Sequence, residues 1–293
     1  MTTVSNILVI GRLTLLEALR RRILWALVVL TLVVVGLTAW GFGALVDNAR
    51  EHAASELEIV AAMSQLLILV AFMFSFVLVM TAAFLGSPAI SADLDSGVLL
   101  VIAARPIRRA EILVGKWLGL TLIVVGYAAA AGLLEIGAAW WASGYHPPSP
   151  MAAVLYLGGQ ATVLLTVAVL LSTRLPPIAG GAVAVVLFGL SWIAGILGNV
   201  ASLFQLDALA GTLDLARYLL PLDGLWRGTE FALEPQAILL LANAGGDSRA
   251  VRIVANSPFF ASSGPPASFV LYVIGWTVVV LGLAIVSFRR REI

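Results

Sequence analysis

The chain contains no cysteine and only two histidines among 293 residues. Without thiols there is no disulfide framework, no thiolate metal site and no redox clue to compartment. Charge is scarce too. Asp, Glu, Lys and Arg make up 11% of the residues, against about 25% in a soluble domain. Too few polar groups remain to cover a water-soluble surface. That excludes an ordinary soluble enzyme, a disordered chain and a nucleic-acid binder. No internal repeat of about 20–50 residues is present, and the apolar segments do not divide into matching halves, so an inverted-repeat secondary transporter gains no support.

What the chain has instead is apolar length. Hydrophobic residues account for 61%, and the mean hydropathy is +1.05. A hydrocarbon core about 30 Å thick needs roughly 20 apolar residues of helix. Six stretches reach it, at about 23–45, 60–85, 112–141, 151–171, 178–199 and 269–288. The first is longer than a signal-peptide core and is followed by no clean small-x-small site, so it is expected to remain as an anchor. The expectation is an all-α membrane protein, a single transmembrane domain over 1–293 with six spans.

The net charge of +1 hides a separation. Twelve of the seventeen basic residues fall before span one, between spans two and three or four and five, and after span six. Ten of the sixteen acids fall in the alternate segments. By the positive-inside rule both termini are cytoplasmic, in agreement with an even span count. Trp140, Trp141 and Tyr145 are expected at the outer interface, Trp25 and Trp117 near the inner one.

Three non-spanning pieces carry the remaining information. Residues 4–22 place Val4, Ile7, Leu8, Leu15, Ala18 and Leu19 on one arc of a helix, with Arg12, Arg20, Arg21 and Arg22 as its cations. This reads as an elbow helix in the cytoplasmic interface, and equally as a topogenic signal. In the loop from Ser87 to Gly97, Ser87-Pro88 starts a short helix and Ser96-Gly97 stops it. Arg105-Pro106 then opens the next helix, which carries Arg108, Arg109 and Glu111. Such a helix suits docking on a soluble partner, or is a solvated connection. The segment 200–268 reads as short outer helices, Leu203–Leu220 and Pro235–Ala242, lying in the outer leaflet or re-entrant.

The stretch Asp93-Leu-Asp-Ser-Gly-Val-Leu99, continued by Ala104-Arg-Pro-Ile-Arg-Arg-Ala-Glu-Ile-Leu-Val-Gly-Lys-Trp-Leu-Gly119, resembles the signature of type-2 ABC transporter permeases. The arginine-rich elbow, six spans, long outer segment and terminal Phe-Arg-Arg-Arg fit the same family. Leu220-Pro-Leu-Asp-Gly-Leu-Trp-Arg227 resembles, more loosely, the branch that serves nitrous oxide reductase and multicopper-enzyme maturation. Val98 departs from the family's usual threonine. The resemblance implies the permease subunit of an ATP-driven exporter in the plasma or inner membrane. It would form a homodimer and engage two copies of a cytoplasmic ATPase. ATP and Mg would sit on that ATPase, with no cofactor or metal on this chain. The ATPase-coupling residues would be Ser91, Asp93, Asp95, Gly97, Arg105, Pro106, Arg109, Glu111 and Lys116. A maturation scaffold acting on a periplasmic partner, possibly for a copper enzyme, is the alternative.

Other chemistry is thin. Gly115-Lys116 lacks the glycine five residues earlier and the following Ser or Thr of a phosphate-binding loop. His52 and His146 lie in separate loops without a second ligand. Met73 and Met80 on span two suit packing or, less readily, copper(I). Glu135, the one acid expected inside a span, is a substrate-path candidate or a hydrogen-bonded outer residue, with Gln65, Gln160 and Asn199 as candidate partners. Gly115-x-x-x-Gly119 and Ala179-Gly-Gly-Ala182 permit close helix contact, between subunits or within one.

Overall fold

The computed structural model describes residues 3–20, 22–97, 107–204, 206–255, 257 and 259–291. Arg21, Arg105, Pro106 and the 98–106 connection lie outside the described residues. Twelve helices and no strand occur among them: α1 Thr3–Leu19, α2 Arg22–Glu51, α3 Glu56–Gly86, α4 Pro88–Asp95, α5 Arg109–Ser143, α6 Pro150–Ser172, α7 Pro177–Leu203, α8 Asp207–Leu219, α9 Leu222–Leu233, α10 Gln236–Asn243, α11 Arg249–Ala255 and α12 Ala267–Arg289. Six of these are long and apolar enough to cross a membrane. They coincide with the expected spans, each somewhat longer than its apolar run.

The helices end where backbone chemistry requires. Ser55 caps α3 reciprocally: its Oγ accepts from the Glu58 amide, and the Glu58 carboxylate accepts from the Ser55 amide. Gly144, with φ 74°, closes α5 in the left-handed conformation. Pro88 has no amide hydrogen, so the α3 ladder breaks there and α4 continues at a bend.

Spans α3 and α6 are the most enclosed, α2 and α12 the least. A helix needs apolar residues all round for both roles, and α3 and α6 differ only in what covers them. Around Phe72 an aromatic cluster joins α3, α7 and α9. Its ring lies 5.4 Å from Trp192, 5.3 Å from Trp226 and 5.0 Å from Phe259.

The elbow differs from its expected orientation. Gly11 and Ala18 are its buried residues, while Val4, Leu8 and Leu19 of the expected apolar arc stand exposed. The reason is steric. α1 packs on α5 through glycines: a Cβ on Gly115 would meet Ile10 at 2.8 Å, and one on Gly119 would meet the Gly11 carbonyl oxygen at 2.5 Å. Small residues let the backbones touch, and the larger apolar residues take the other side. Arg12 and Arg20 are exposed, and Arg22 begins α2. The Gly115–Gly119 surface is thus used inside the subunit. So is Gly181 of α7, where a Cβ would lie 3.2 Å from Ser87 Oγ.

Gly119→Ala should therefore separate α1 from α5 and destabilise the protein by about 1–3 kcal/mol. Gly126→Ala, where a Cβ meets nothing within 4 Å, is the control and should be neutral. Thermal unfolding of the two variants in detergent checks this, and equal midpoints would contradict the packing argument.

Candidate functional site

Helix α1, the end of α12 and α4 gather at one end of the bundle, and α8–α11 cover the other. At the first end the joint between α3 and α4 is helical through Ser87 (φ −62°, ψ −35°) and makes no side-chain cap. Ser87 thus precedes Pro88 without capping α4 through its side chain. Ser91 is buried and its Oγ donates to the Ser87 carbonyl (2.9 Å). Gly97 takes φ 72° after α4, a conformation that other residues adopt only with strain.

Lys116 holds α4 in place. Its Nζ donates to the Ala89 carbonyl (2.8 Å) and to Asp93 Oδ2. Both partners of the ion pair are largely shielded from solvent, so the bond is stronger than a surface pair. Asp93 is therefore engaged within the chain, and Asp95 is the exposed acid of α4. Between α1, α4 and α5 lies a cavity of about 440 Å³, with Glu17, Asp93 and Lys116 on its walls and Leu85 and Leu120 at its base.

Other basic residues near α4 are bound to backbone. Arg109 Nη1 donates to the carbonyls of Phe288 (3.3 Å), Arg289 (3.3 Å) and Arg291 (2.6 Å), and its guanidinium lies over the Phe288 ring. The last carbonyls of a helix lack intrahelical partners, and Arg109 supplies them for α12. Arg291 donates to the Thr173 carbonyl (2.6 Å), and Arg174 Nε to Ser287 Oγ (3.0 Å). Asn6 of α1 donates to Glu111 Oε2 (2.8 Å). Arg109, Glu111 and Lys116 thus brace α4, α1 and α12 against α5, whereas Asp95 is exposed. The spacing Arg109-x-Glu111 exposed the charges but not their partners, which come from residues over 100 positions away.

The opposite end was only partly read. α9 and α11 were not expected as helices. α9 carries Leu222, Leu225, Trp226, Thr229 and Leu233 at i, i+3, i+4, i+7 and i+11, all buried. Its Pro221, Gly224 and Gly228 obscured that stripe. The glycines are where rings enter: a Cβ on Gly224 would lie 2.3 Å from Phe269, and one on Gly228 2.7 Å from Tyr156. Asp223 is met by Arg217 Nε (3.0 Å) and Arg227 Nε (3.2 Å).

Glu135 is buried with an interaction to Thr38 of α2, and its Oε2 has no hydrogen-bond partner among the described residues. It borders a small void shared with Gly132, Ala153 and Leu233. Gln65 and Gln160 bond to the α9 region instead, at Glu234 (3.1 Å) and the Leu222 carbonyl (3.3 Å). The Asn199 side chain lies outside the described residues. His52 bonds the Asn48 carbonyl, and His146 packs edge-on to Trp140.

A profile described as ABC-2 family transporter protein matches residues 8–293. The chain belongs to this family. It is a multi-pass membrane permease of an ABC transporter, and membership implies a partner ATPase and a lipid bilayer. Membrane subunits of ABC-2 transporters are generally not themselves catalytic. No curated protein matches the permease at a significant level.

Lys116→Met should free α4 from α5. Amide exchange over residues 88–95 is expected to accelerate about ten-fold or more, since charged hydrogen bonds contribute about 1.5–3 kcal/mol. The exchanged pair Asp93→Lys/Lys116→Asp should recover most of the protection. Unchanged exchange in Lys116→Met would show that the pair does not hold α4.

Proposed function

We propose that this permease is the membrane half of an ATP-driven exporter, with both termini and α4 in the cytoplasm, in a homodimer engaging two ATPase copies. ATP and Mg are bound by the ATPase. α4 is the coupling helix, and the observation that carries this is its bracing. A short helix with one exposed acid, Asp95, is tied to span α5 through Asp93, Ala89 and Lys116. A push on such a helix moves α5, and with it α1 and α12, because all three are bonded to the first turns of α5. The positive-inside distribution of Lys and Arg supports the orientation.

A second reading draws on the α8–α11 layer, whose Asp247, Arg249 and Arg252 are exposed. There the motion passes to an extracytoplasmic partner, such as a copper-enzyme maturation factor, without bulk transport. Cargo-stimulated ATP hydrolysis in liposomes with no third protein would decide for export.

Asp95→Lys tests the coupling role without disturbing the α4 anchor. It should weaken binding of the partner ATPase about ten-fold, equivalent to about 1.4 kcal/mol. α4 should stay as protected from amide exchange as in the parent. Full retention of ATPase binding and of its stimulation by the permease would remove α4 from the interface.

A further inference from the structure

The α9 end holds buried carboxyls that neither coupling nor topology uses. Glu234 caps α9 and is 0% exposed, and Glu230, one turn earlier, is 5% exposed. Gln65 Nε2 of α3 donates to Glu234 Oε1 (3.1 Å). The remaining oxygens of both groups, Glu234 Oε2 and Gln65 Oε1, are buried and have no hydrogen-bond partner among the described residues. Two acceptors without donors, on side chains already joined by one bond, lack a single proton. A carboxylic acid at Glu234 supplies it: Oε2–H donates to Gln65 Oε1, and acid and amide pair on both sides. A carboxylate there leaves two buried acceptors unsatisfied, which is costly in a dry interior.

The surroundings favour the neutral form. Tyr145 donates its hydroxyl to the Leu233 carbonyl, and the Ser149 amide donates to the Ala232 carbonyl (3.2 Å), so neither donor is directed at the carboxyl. On α9 itself Asp223 and Arg227 pair with each other, and Arg217 of α8 joins them. Tyr156 of α6 lies with its ring against Gly228, and Glu135 of α5 borders the void beneath Leu233. α7, α10 and the 257–266 segment bring no ionisable side chain. No cation in this set bonds Glu234. Burial pushes the Glu234 carboxyl up to about 7, against the Gln65 bond that lowers it. Burial likewise pushes Glu230 up to about 8, partly offset by Trp226 and Arg227.

We propose that Glu234, paired with Gln65 and seconded by Glu230, is a proton-binding site at the face opposite α4, loaded while α9 is seated between α3 and α6 and emptied when α9 unseats. Its ligand is the proton of the medium on that face. The sign follows from linkage. A carboxyl exposed by unseating returns to its ordinary value near 4.5. The seated state then binds more protons between that value and about 7 to 8, so seating weakens as pH rises through this window. Below it the seated state is fully favoured, and above it no further change occurs. Each proton released contributes up to about ten-fold per pH unit. Conformational cycling of the permease therefore carries proton uptake and release with it. This does not depend on which partner drives the motion.

The absence of cysteine makes the test direct. Thr229, 0% exposed on α9, is replaced by cysteine, and exposed Ser262→Cys is the reference for thiol reactivity. Both full-length variants are placed in lipid nanodiscs and labelled with a maleimide between about pH 5.5 and 8. The Thr229→Cys rate relative to the reference should rise about ten-fold or more across this range. Adding Glu234→Gln, whose amide mimics the protonated acid without titrating, should diminish that rise, and Glu230→Gln together with Glu234→Gln should flatten most of it. A pH-independent ratio in the parent, or an undiminished rise with Glu234→Gln, would overturn the proposal. Infrared spectra of the cysteine-free protein give a second measure. A protonated carboxyl band near pH 6 that is weaker in Glu234→Gln is expected, and an identical band in both would overturn it. Neither readout requires an ATPase, so failure here is separate from failure of the coupling assignment.

Discussion

A low-dielectric solvent decides where this chain can place a charge. An ion left unpaired in or near the hydrocarbon costs several kcal/mol, so the few charged groups that approach the spans must meet a partner. Lys116 meets Asp93 and a carbonyl, Arg109 meets the three carbonyls that end α12, and Asp223 meets two arginines. The Lys116 and Arg109 contacts join separate helices, and those of Arg109 reach across 179 or more positions. They add polar restraints to the close steric contacts made at Gly115, Gly119, Gly224 and Gly228.

Span α5 is where most of these restraints meet. Its first turns bond α4, α1 and α12, and its two glycines bring α1 into backbone contact. Farther along, Tyr127 meets Thr31 (2.7 Å) and Trp117 donates to Thr166 (2.9 Å), tying α2 and α6 to the same helix. A helix is stiff along its axis, so a displacement applied at Lys116 is delivered to the level of Glu135 and Tyr145 with little loss. The gathering of contacts on one rigid element, rather than any single bond, lets a short helix at one end influence the packing at the other.

Much of this architecture is legible in the residues. Six runs of about 20 apolar residues leave little choice but six spans, and Pro88 and Gly97 bracket α4 because backbone chemistry permits little else there. The partners of Arg109, Glu111 and Lys116 were not legible, since each lies in a different helix and periodicity reports only along one. α1 was misread for a related reason. Its glycine was given no weight beside its leucines, yet close contact is made by what a side chain leaves out. The α9 helix was missed because glycines and acids, which signal loops in water, here receive aromatic rings and lie under cover.

The two ends of the bundle solve the charge problem in opposite ways. At the α4 end Asp93 meets Lys116, and Lys116 and Arg109 meet carbonyls, so charged groups there are held by charged or polar partners. At the α9 end Glu234 meets a neutral amide and Glu230 lies beneath the same cover. An amide can satisfy a carboxylate only in part, but it can satisfy a carboxylic acid fully, as donor and acceptor at once. On the proposed reading the α4 end is a mechanical joint, and the α9 end a closure whose strength depends on a proton. The first would transmit force, and the second would release its seal at a modest cost, which burying a neutral acid rather than an ion provides.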